Sequence, residues 1–441
     1  MIRNIRFACS IVCALSVAFL AGGATAGAAR AISIVDLLDL EVGYDTLAVQ
    51  YYRRTTPQQI ADGARTGIVA YLVGRGVADP VVPQIRAAKN DALRAIESAV
   101  ASTILRYGDR VETRDLIYAT LSGEVATVRD TYTTFYTPQQ YRAFNQYLDA
   151  PRFAGIGVVL SEDRATKQPR VDDVVSNGPA ERAGISSGDL IAQIDGKQTA
   201  GLDIDVISKL LRGVAGSTVR LQIVRGGTAL APLTLVRAII DPPTVYAKLL
   251  SGAIGYLKLT VFGGTTGAEL RRALKRVDAQ GARAYILDLR DNGGGYRDTA
   301  IAVARAFVAS GPIVAVEERH GQRTVFSADE SAVPHKALAV LVNGNTASAS
   351  EIVAGAIQDD KLGALVGERT YGKGLVQTVF PLPDGAAMKV TTGRYYTARG
   401  RDVDRLGIVP DVIVAEPDGS QPGDPTRDPQ LERAVELLGN P

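Results

Sequence analysis

Two side chains, Ser348 and Lys373, have the types and settings for nucleophilic chemistry. An apolar run, Leu338 to Val342, ends in a Gly-Asn-Thr turn, and a small-residue helix is expected to begin near Ser348. A serine at a strand-to-helix turn can expose its hydroxyl, and the N–H groups just after it lack helical partners. The N–H of Ala349 is then a candidate oxyanion donor, aided by the helix dipole. A second donor must come from another backbone segment. The turn Gly293-Gly294-Gly295 offers one, because glycine lets a backbone crowd a substrate carbonyl. Most serines at such positions only cap a helix, and Ser350 has that claim too.

A serine hydroxyl needs a base. The chain has only two histidines, His320 and His335, so lysine is the natural alternative. A free lysine titrates near 10.4. Desolvation must bring it down by roughly three pH units, about 4 kcal/mol, before it can take a proton near neutrality. Lys373 lies between Gly372 and Gly374 and precedes Leu375 and Val376, which suits an ammonium entering an apolar pocket. Gln377 could orient it if the chain bends between the two.

The rest of the chain must position these groups. Its 441 residues allow two or three domains with real cores. The net charge of +2 points away from nucleic acid. Arg3 and Arg6 precede an apolar run, Phe7 to Leu20, and a small-residue stretch follows. That is the pattern of a secretory signal over residues 1–26, cleaved after Ala26, with an uncleaved membrane anchor as the alternative. The location expected is the periplasm or cell exterior. Cys9 and Cys13 are the only cysteines, so the mature protein would hold no disulfide, thiol nucleophile or cysteine metal site. No metal or other cofactor is expected.

Residues 35–150 read as a helical region. Pro57 and Pro138 begin helices, and a further helical spacing runs between Pro83 and Gly108. The region's many tyrosines suit packing on the rest of the chain or a surface for homo-oligomers or partners. Residues 153–237 alternate strands, glycine turns and two short helices. Residues 244–415 alternate strands and helices, including Tyr285 to Arg290 as a buried strand and Thr299 to Ala309 as a helix, which predicts an α/β layered domain. Residues 416–441 read as a tail with a short helix.

The series G-P-A, A-G-I, G-D-L-I and I-D-G within 153–237 resembles a PDZ domain of the type found in bacterial proteases. The resemblance implies binding of peptide C-termini by strand addition, with Gly155, Ile156 and Gly157 at the carboxylate-binding loop. The motifs T-A-S-A-S-E-I, G-E-x-T-Y-G-K-G-x-V-Q, D-L-R-x-N-x-G-G and R-Y-Y-T…G-I-x-P-D-V resemble those of C-terminal processing, or tail-specific, serine peptidases. This implies a multidomain α/β fold and cleavage by a serine–lysine dyad through an acyl-enzyme. It assigns Ser348 as nucleophile, Lys373 as base, Gln377 as its assistant and Gly294 as an oxyanion residue. Glu351 and Thr370 take supporting positions. An aspartate of the family falls on Asp359, which lies too far along the helix from Ser348 for a triad and is expected to close the helix end. Asp288 and Arg290 are expected to form a structural ion pair. Arg212 is a candidate link between the PDZ and catalytic parts. The partners implied are protein or peptide substrates held by their C-termini, with an activating or adaptor protein. The alternative is a catalytically silent PDZ scaffold.

Overall fold

The computed structural model describes residues 32–87, 91–148, 153–163, 166–175, 178–240, 243–417, 423 and 427–439. The expected export signal, with Cys9 and Cys13, lies outside the described residues. Among the described residues no helix is long and apolar enough to cross a membrane.

The chain begins with helices α1 (Ile34–Asp45), α2 (Pro57–Gly74), α3 (Ala92–Tyr107) and α4 (Thr113–Ala126), strand β1 (Thr134–Tyr136) and helix α5 (Pro138–Leu148). Thr56 and Gln59 form a capping box around Pro57 at the start of α2. Thr137 and Gln140 do the same at α5. The helical spacing from Pro83 overshoots, because α3 starts only at Ala92. Residues 83–87 instead lie along α2, where the Gln58 carboxamide donates to Ile85 O and accepts from Ala87 N at 2.9 and 3.0 Å. Those bonds satisfy backbone groups that a helix would otherwise have paired.

This region is not a separate bundle. Its core of Leu40, Ile60, Ile68, Ile96, Leu116 and Leu121 also takes in Met388 and Val390. Both belong to a strand of the last unit, Ala387–Thr397, and β1 pairs with it, Thr134 opposite Lys389.

The second unit runs β2 (Phe153–Gly155), β3 (Val158–Glu162), β4 (Pro169–Val174), α6 (Pro179–Arg182), β5 (Leu190–Ile194), β6 (Lys197–Gln198), α7 (Ile204–Leu211), β7 (Thr218–Arg225), β8 (Thr228–Ala229) and β9 (Leu233–Val236). Its antiparallel sheet has the order β3-β4-β5-β7-β8, with β6 beside β5 and β9 beside β7. Strand β3 is therefore an edge, with α7 next to it. Strand β10 (Ala238–Ile240) returns to pair with β2.

The last unit comprises β11 (Val245–Leu250), β12 (Ile254–Leu259), α8 (Thr266–Ala279), β13 (Ala284–Asp288), α9 (Arg297–Arg305), β14 (Pro312–Glu318), β15 (Arg323–Ser327), β16 (Ala337–Val342), α10 (Ala349–Asp359), β17 (Ala364–Gly367), β18 (Leu375–Pro381), β19 (Ala387–Thr397), β20 (Val412–Ile413) and α11 (Pro429–Gly439). One sheet has the order β11-β12-β13-β16-β17-β20 and is parallel except for β11. Helices α8, α9 and α10 cover one face, where Leu274, Ile301 and Val353 meet Leu257, Leu287 and Val340. On the other face Leu431 and Ala434 of α11 meet Ile286, Leu341 and Val366. Burial on both faces explains why β13 and β16 read as unbroken apolar runs.

Helix α9 runs two residues earlier than expected at its start. It ends at Arg305, where the N–H groups of Ala306 and Phe307 turn back to Val303 O and Ala304 O. The C-terminal segment, with its helix α11, forms a structural layer. Arg290, 1% exposed, is held by Asp288 and, from the loop before α11, by Asp428, each at 2.7 Å. A buried guanidinium needs such paired acceptors. The second sheet is antiparallel, β1-β19-β14-β15, with β18 paired to β19.

Candidate active site

In an open parallel sheet, ligands sit at the carboxyl ends of the strands. Here the turns leaving β12, β13 and β16 converge there. Thr346 Oγ1, in the turn after β16, donates to Leu289 O at 2.9 Å and accepts from Asn343 N at 2.9 Å. Asn292 O, in the turn after β13, accepts from Ala347 N at 3.0 Å and from Ser350 Oγ at 2.8 Å. Ser350 is thus occupied in structure. Ser348, between these anchors, has φ 56° and ψ −115°. A non-glycine residue rarely adopts that region, and holding it there costs about 1–3 kcal/mol.

Glu351, fully buried one turn into α10, joins the serine to the lysine. Its carboxylate accepts from Ser348 N at 2.8 Å, Thr370 Oγ1 at 2.6 Å, Gly372 N at 2.8 Å and Lys373 N at 2.9 Å. Tyr395 OH donates to Ser348 O at 3.2 Å and lies 3.4 Å from Glu351 Oε2. Burial pushes the Glu351 carboxyl above its ordinary value, while these bonds pull the other way. Four of the partners are N–H or O–H donors, so the network is built for the ionised acceptor.

Lys373 and Ser348 line one cavity of about 650 Å³. Its lining includes apolar Ile352, Leu375, Val376 and Val379, together with Tyr141, Phe144, Arg297 and Lys389. The Lys373 ammonium lies 5.0 Å over the Tyr132 ring. Burial pushes its pKa below the ordinary value, and the positive charge of Lys389 adds to this, against Glu351 and Asp130. Among the described residues no hydrogen bond joins Ser348 Oγ to Lys373 Nζ. Catalytic contacts of this kind often tighten only when substrate is bound.

The glycine turn presses on the serine. A Cβ on Gly294, at φ 104°, would lie 2.9 Å from Ser348 Cβ and 3.0 Å from Ala349 N. The oxyanion pair expected at Gly294 and Ala349 is only half open. Gly294 N donates to Asn292 Oδ1 at 2.9 Å, whereas Ala349 N has no partner among the described residues. Gln377 lines the cavity beside a bulge in the β18–β19 ladder at Val376/Gln377. Its carboxamide nitrogen is buried without a hydrogen-bond partner among the described residues, and it makes no bond to Lys373.

Residues 253–414 match peptidase family S41, and residues 170–225 match the PDZ domain family. A carboxyl-terminal-processing protease of Synechocystis is 37% identical over 69% of this chain and 72% of its own. One from Picosynechococcus is 36% identical over 74% and 80%. The chain belongs to peptidase family S41, the carboxyl-terminal-processing proteases. Among solved structures, the photosystem II D1 C-terminal processing protease matches 93% of this chain and 98% of its own, with 28% identity and a TM-score of 0.50. The protein is a peptidase that carries a PDZ domain and acts on peptide or protein substrates.

In this S41 protein the PDZ groove has an open strand edge, β3, beside α7. Gly155 ends β2, Ile156 is buried, and Gly157 takes φ 79°. The carbonyls of Ile156 and Gly157 accept from Ala180 N and Val175 N at 2.8 and 2.9 Å. Arg212 does not link the domains, because its guanidinium lies 4.2 Å over the Phe153 ring inside the PDZ unit. The link is Arg276 of α8, whose guanidinium meets Asp173 of β4 at 2.9 Å. Asp359, at the end of α10, accepts from Arg399 N at 2.8 Å and pairs with Arg401, so it clamps the 397–401 turn. It has no contact with Ser348.

Sequence reasoning missed Tyr132, Phe144, Lys389, Asn292 and Asp428. A lone lysine between Met388 and Val390, inside an apolar stretch, was the signal available for Lys389.

Proposed function

We propose that this peptidase is a serine endopeptidase that recognises substrate C-termini through its PDZ domain and cleaves by a Ser348–Lys373 dyad. One observation supports this most. Ser348 at a strained turn and Lys373, its pKa lowered by burial, face a single cavity and are tied to the same carboxylate, Glu351. Neutral Lys373 takes the Ser348 Oγ proton as Oγ adds to the scissile carbonyl carbon. The oxyanion is held by Ala349 N–H and, once Asn292 releases it, Gly294 N–H. Collapse expels the amine, which takes the proton from Lys373, and leaves an ester on Ser348. Water, losing its proton to Lys373, then hydrolyses that ester. Gln377 orients Lys373. The outer edge of β18, unpaired among the described residues, can receive substrate as an added strand.

The closed Gly294 donor fits a resting form that a peptide docked on the PDZ groove shifts toward the competent one. We also read residues 1–26 as an export signal, which would place the enzyme outside the cytoplasm. The helical region is our proposed surface for self-association or an activating protein. The test incubates wild type, Ser348→Ala and Lys373→Ala with an unfolded protein bearing an apolar C-terminus and reads fragments by mass spectrometry. Cleavage by wild type alone is expected. Cutting by both variants would sink the dyad. Export is tested by sequencing the amino terminus of the protein recovered outside the cytoplasm.

A further inference from the structure

Lys389 is a half-buried cation in the wall of the catalytic cavity. It stands in the middle of three paired strands, opposite Thr134 on β1 and Val379 on β18. Its ammonium lies 5.4 Å from the ring centres of both Tyr136 and Phe144. Among the described residues no carboxylate reaches it within ion-pair distance. Two aromatic faces stabilise the charge without neutralising it, since a ring quadrupole carries no net charge. A fold that wanted only an apolar plug between Met388 and Val390 would have no use for an ammonium here, and desolvating one without a counter-ion is costly.

We propose that Lys389 is a positioning residue for the reaction: its uncompensated charge, facing the cavity shared with Lys373, disfavours a second ammonium there and keeps Lys373 the free base that Ser348 needs. This rests on the dyad assigned above. The charged and titratable groups around the pair are few. Glu351 from α10 and Asp130 from the segment before β1 favour the protonated lysine, whereas burial and Lys389 oppose it. Tyr132 is pushed up to about 12, first by burial and then by its bond to Tyr371, and stays neutral. Tyr395 of β19 is likewise pushed up, chiefly by burial. Tyr136 of β1, Tyr141 of α5 and the Arg297–Asp298 pair of α9 complete the set near Lys389. Strand β18 contributes no charged side chain. Lys389 is thus the cation best placed to repel a proton from Lys373. A lysine nucleophile or base beside a second cation is a known way to free the amine at neutral pH.

The test follows Lys373 directly. Full-length Ser348→Ala protein with carbon-13-labelled lysine is titrated by NMR, with the signals assigned by Lys373→Met and Lys389→Met. Lys389→Met is expected to move the Lys373 titration to higher pH, and Lys389→Arg to leave it in place. In the active enzyme Lys389→Met should lower kcat/KM about tenfold on the acid side of the profile, the effect of one pH unit, with rates converging at high pH. A structural role would instead lower the rate equally at every pH. An unmoved Lys373 titration in Lys389→Met, or an equal displacement in Lys389→Arg, would overturn the proposal. Cleavage by Lys373→Ala would overturn the dyad itself, a failure told apart because the NMR coupling does not depend on turnover.

Discussion

Two glycine turns, one proposed to hold a reacting carbonyl and one proposed to hold a peptide terminus, are crowded by different things. At the catalytic turn, a Cβ on Gly294 would meet the backbone of Ala347 and Ala349 at 2.9 and 3.0 Å, and one on Gly295 would meet Phe262 O at 2.4 Å. At the PDZ turn, a Cβ on Gly157 would meet the side chains of Ile240 and Val175 at 3.2 and 3.3 Å. Backbone cannot move aside without breaking the sheets that carry it. The Ile240 Cδ1, the nearer of the two, can turn aside by a change of rotamer at a cost of about 1 kcal/mol, whereas the Val175 Cβ need give only a few tenths of an ångström. The chemical site is therefore fixed by its scaffold, and the recognition site keeps some give. A reacting carbonyl needs donors placed to a fraction of an ångström, whereas a peptide groove must accept more than one terminal sequence.

The difference predicts unequal damage from equal changes. Gly294→Ala should lower kcat/KM at least ~10³-fold, since its Cβ would displace Ser348 and shift the Gly294 N–H away from the proposed oxyanion. Thermal unfolding and peptide binding measured alongside would show whether the PDZ unit stays intact. Glu351→Gln is expected to cost about 10²-fold. The amide cannot accept from all of Ser348 N, Gly372 N, Lys373 N and Thr370 Oγ1, and its NH₂ would face donors. Gly157→Ala, at φ 79°, should weaken binding of a C-terminal peptide only about tenfold, with hydrolysis of a short substrate that does not use the groove unchanged. Fluorescence anisotropy for binding and a short-peptide assay for chemistry separate the two. Loss of short-peptide hydrolysis in Gly157→Ala would erase the distinction between the turns.

What the sequence made legible follows the same division. The serine turn, the glycine turn and the lysine loop are each local, so their residue types and breaks in periodicity are visible on one line of sequence. The PDZ strands and turns are legible for the same reason. The groups opposite are not, because Phe144 and Lys389, which line the cavity, and Tyr132, which lies against Lys373, come from two distant segments joined when β1 pairs with β19. The tyrosines of that stretch read equally well as bundle packing. Arg290 suggested its partner Asp288 two residues away, but nothing local marks Asp428 as the second acceptor. Arg212 suggested a domain link through its position beside a glycine, yet an adjacent aromatic ring, Phe153, is a nearer partner for a guanidinium than any acid across the interface.

The catalytic site also stores a penalty that the PDZ turn does not. Below its ordinary value of 10.5 a lysine is protonated in the unfolded chain, while burial makes folded Lys373 release that proton more easily. Between its lowered value and 10.5 the unfolded state binds more protons, so this residue's contribution to stability falls as pH drops through that window. Lys373→Met should abolish activity and yet stabilise the fold near neutral pH. The gain should vanish at high pH, where the lysine is neutral in both states. Unfolding midpoints in urea across pH would show it, and a pH-independent difference would mean that packing, not charge, separates the variants.

The smallest effect expected lies between the two turns. Arg276 and Asp173 join α8 to the PDZ sheet through two contacts, at 3.0 and 2.9 Å, but their side chains are 42% and 21% exposed. Solvent screening at that exposure leaves such a pair at most about 1 kcal/mol. Arg276→Ala should therefore barely move the unfolding temperature. A contribution of that size can still shift a balance between two domain arrangements up to about fivefold. If the arrangement seen here, with Gly294 N–H held by Asn292, is the resting one, the variant should cleave undocked peptides two- to fivefold faster in low salt, with the gap closing as salt rises. PDZ affinity for a terminal peptide should stay within about twofold. An unchanged basal rate at low salt would mean that the flexible side of the molecule is coupled to the rigid side by some contact other than this pair.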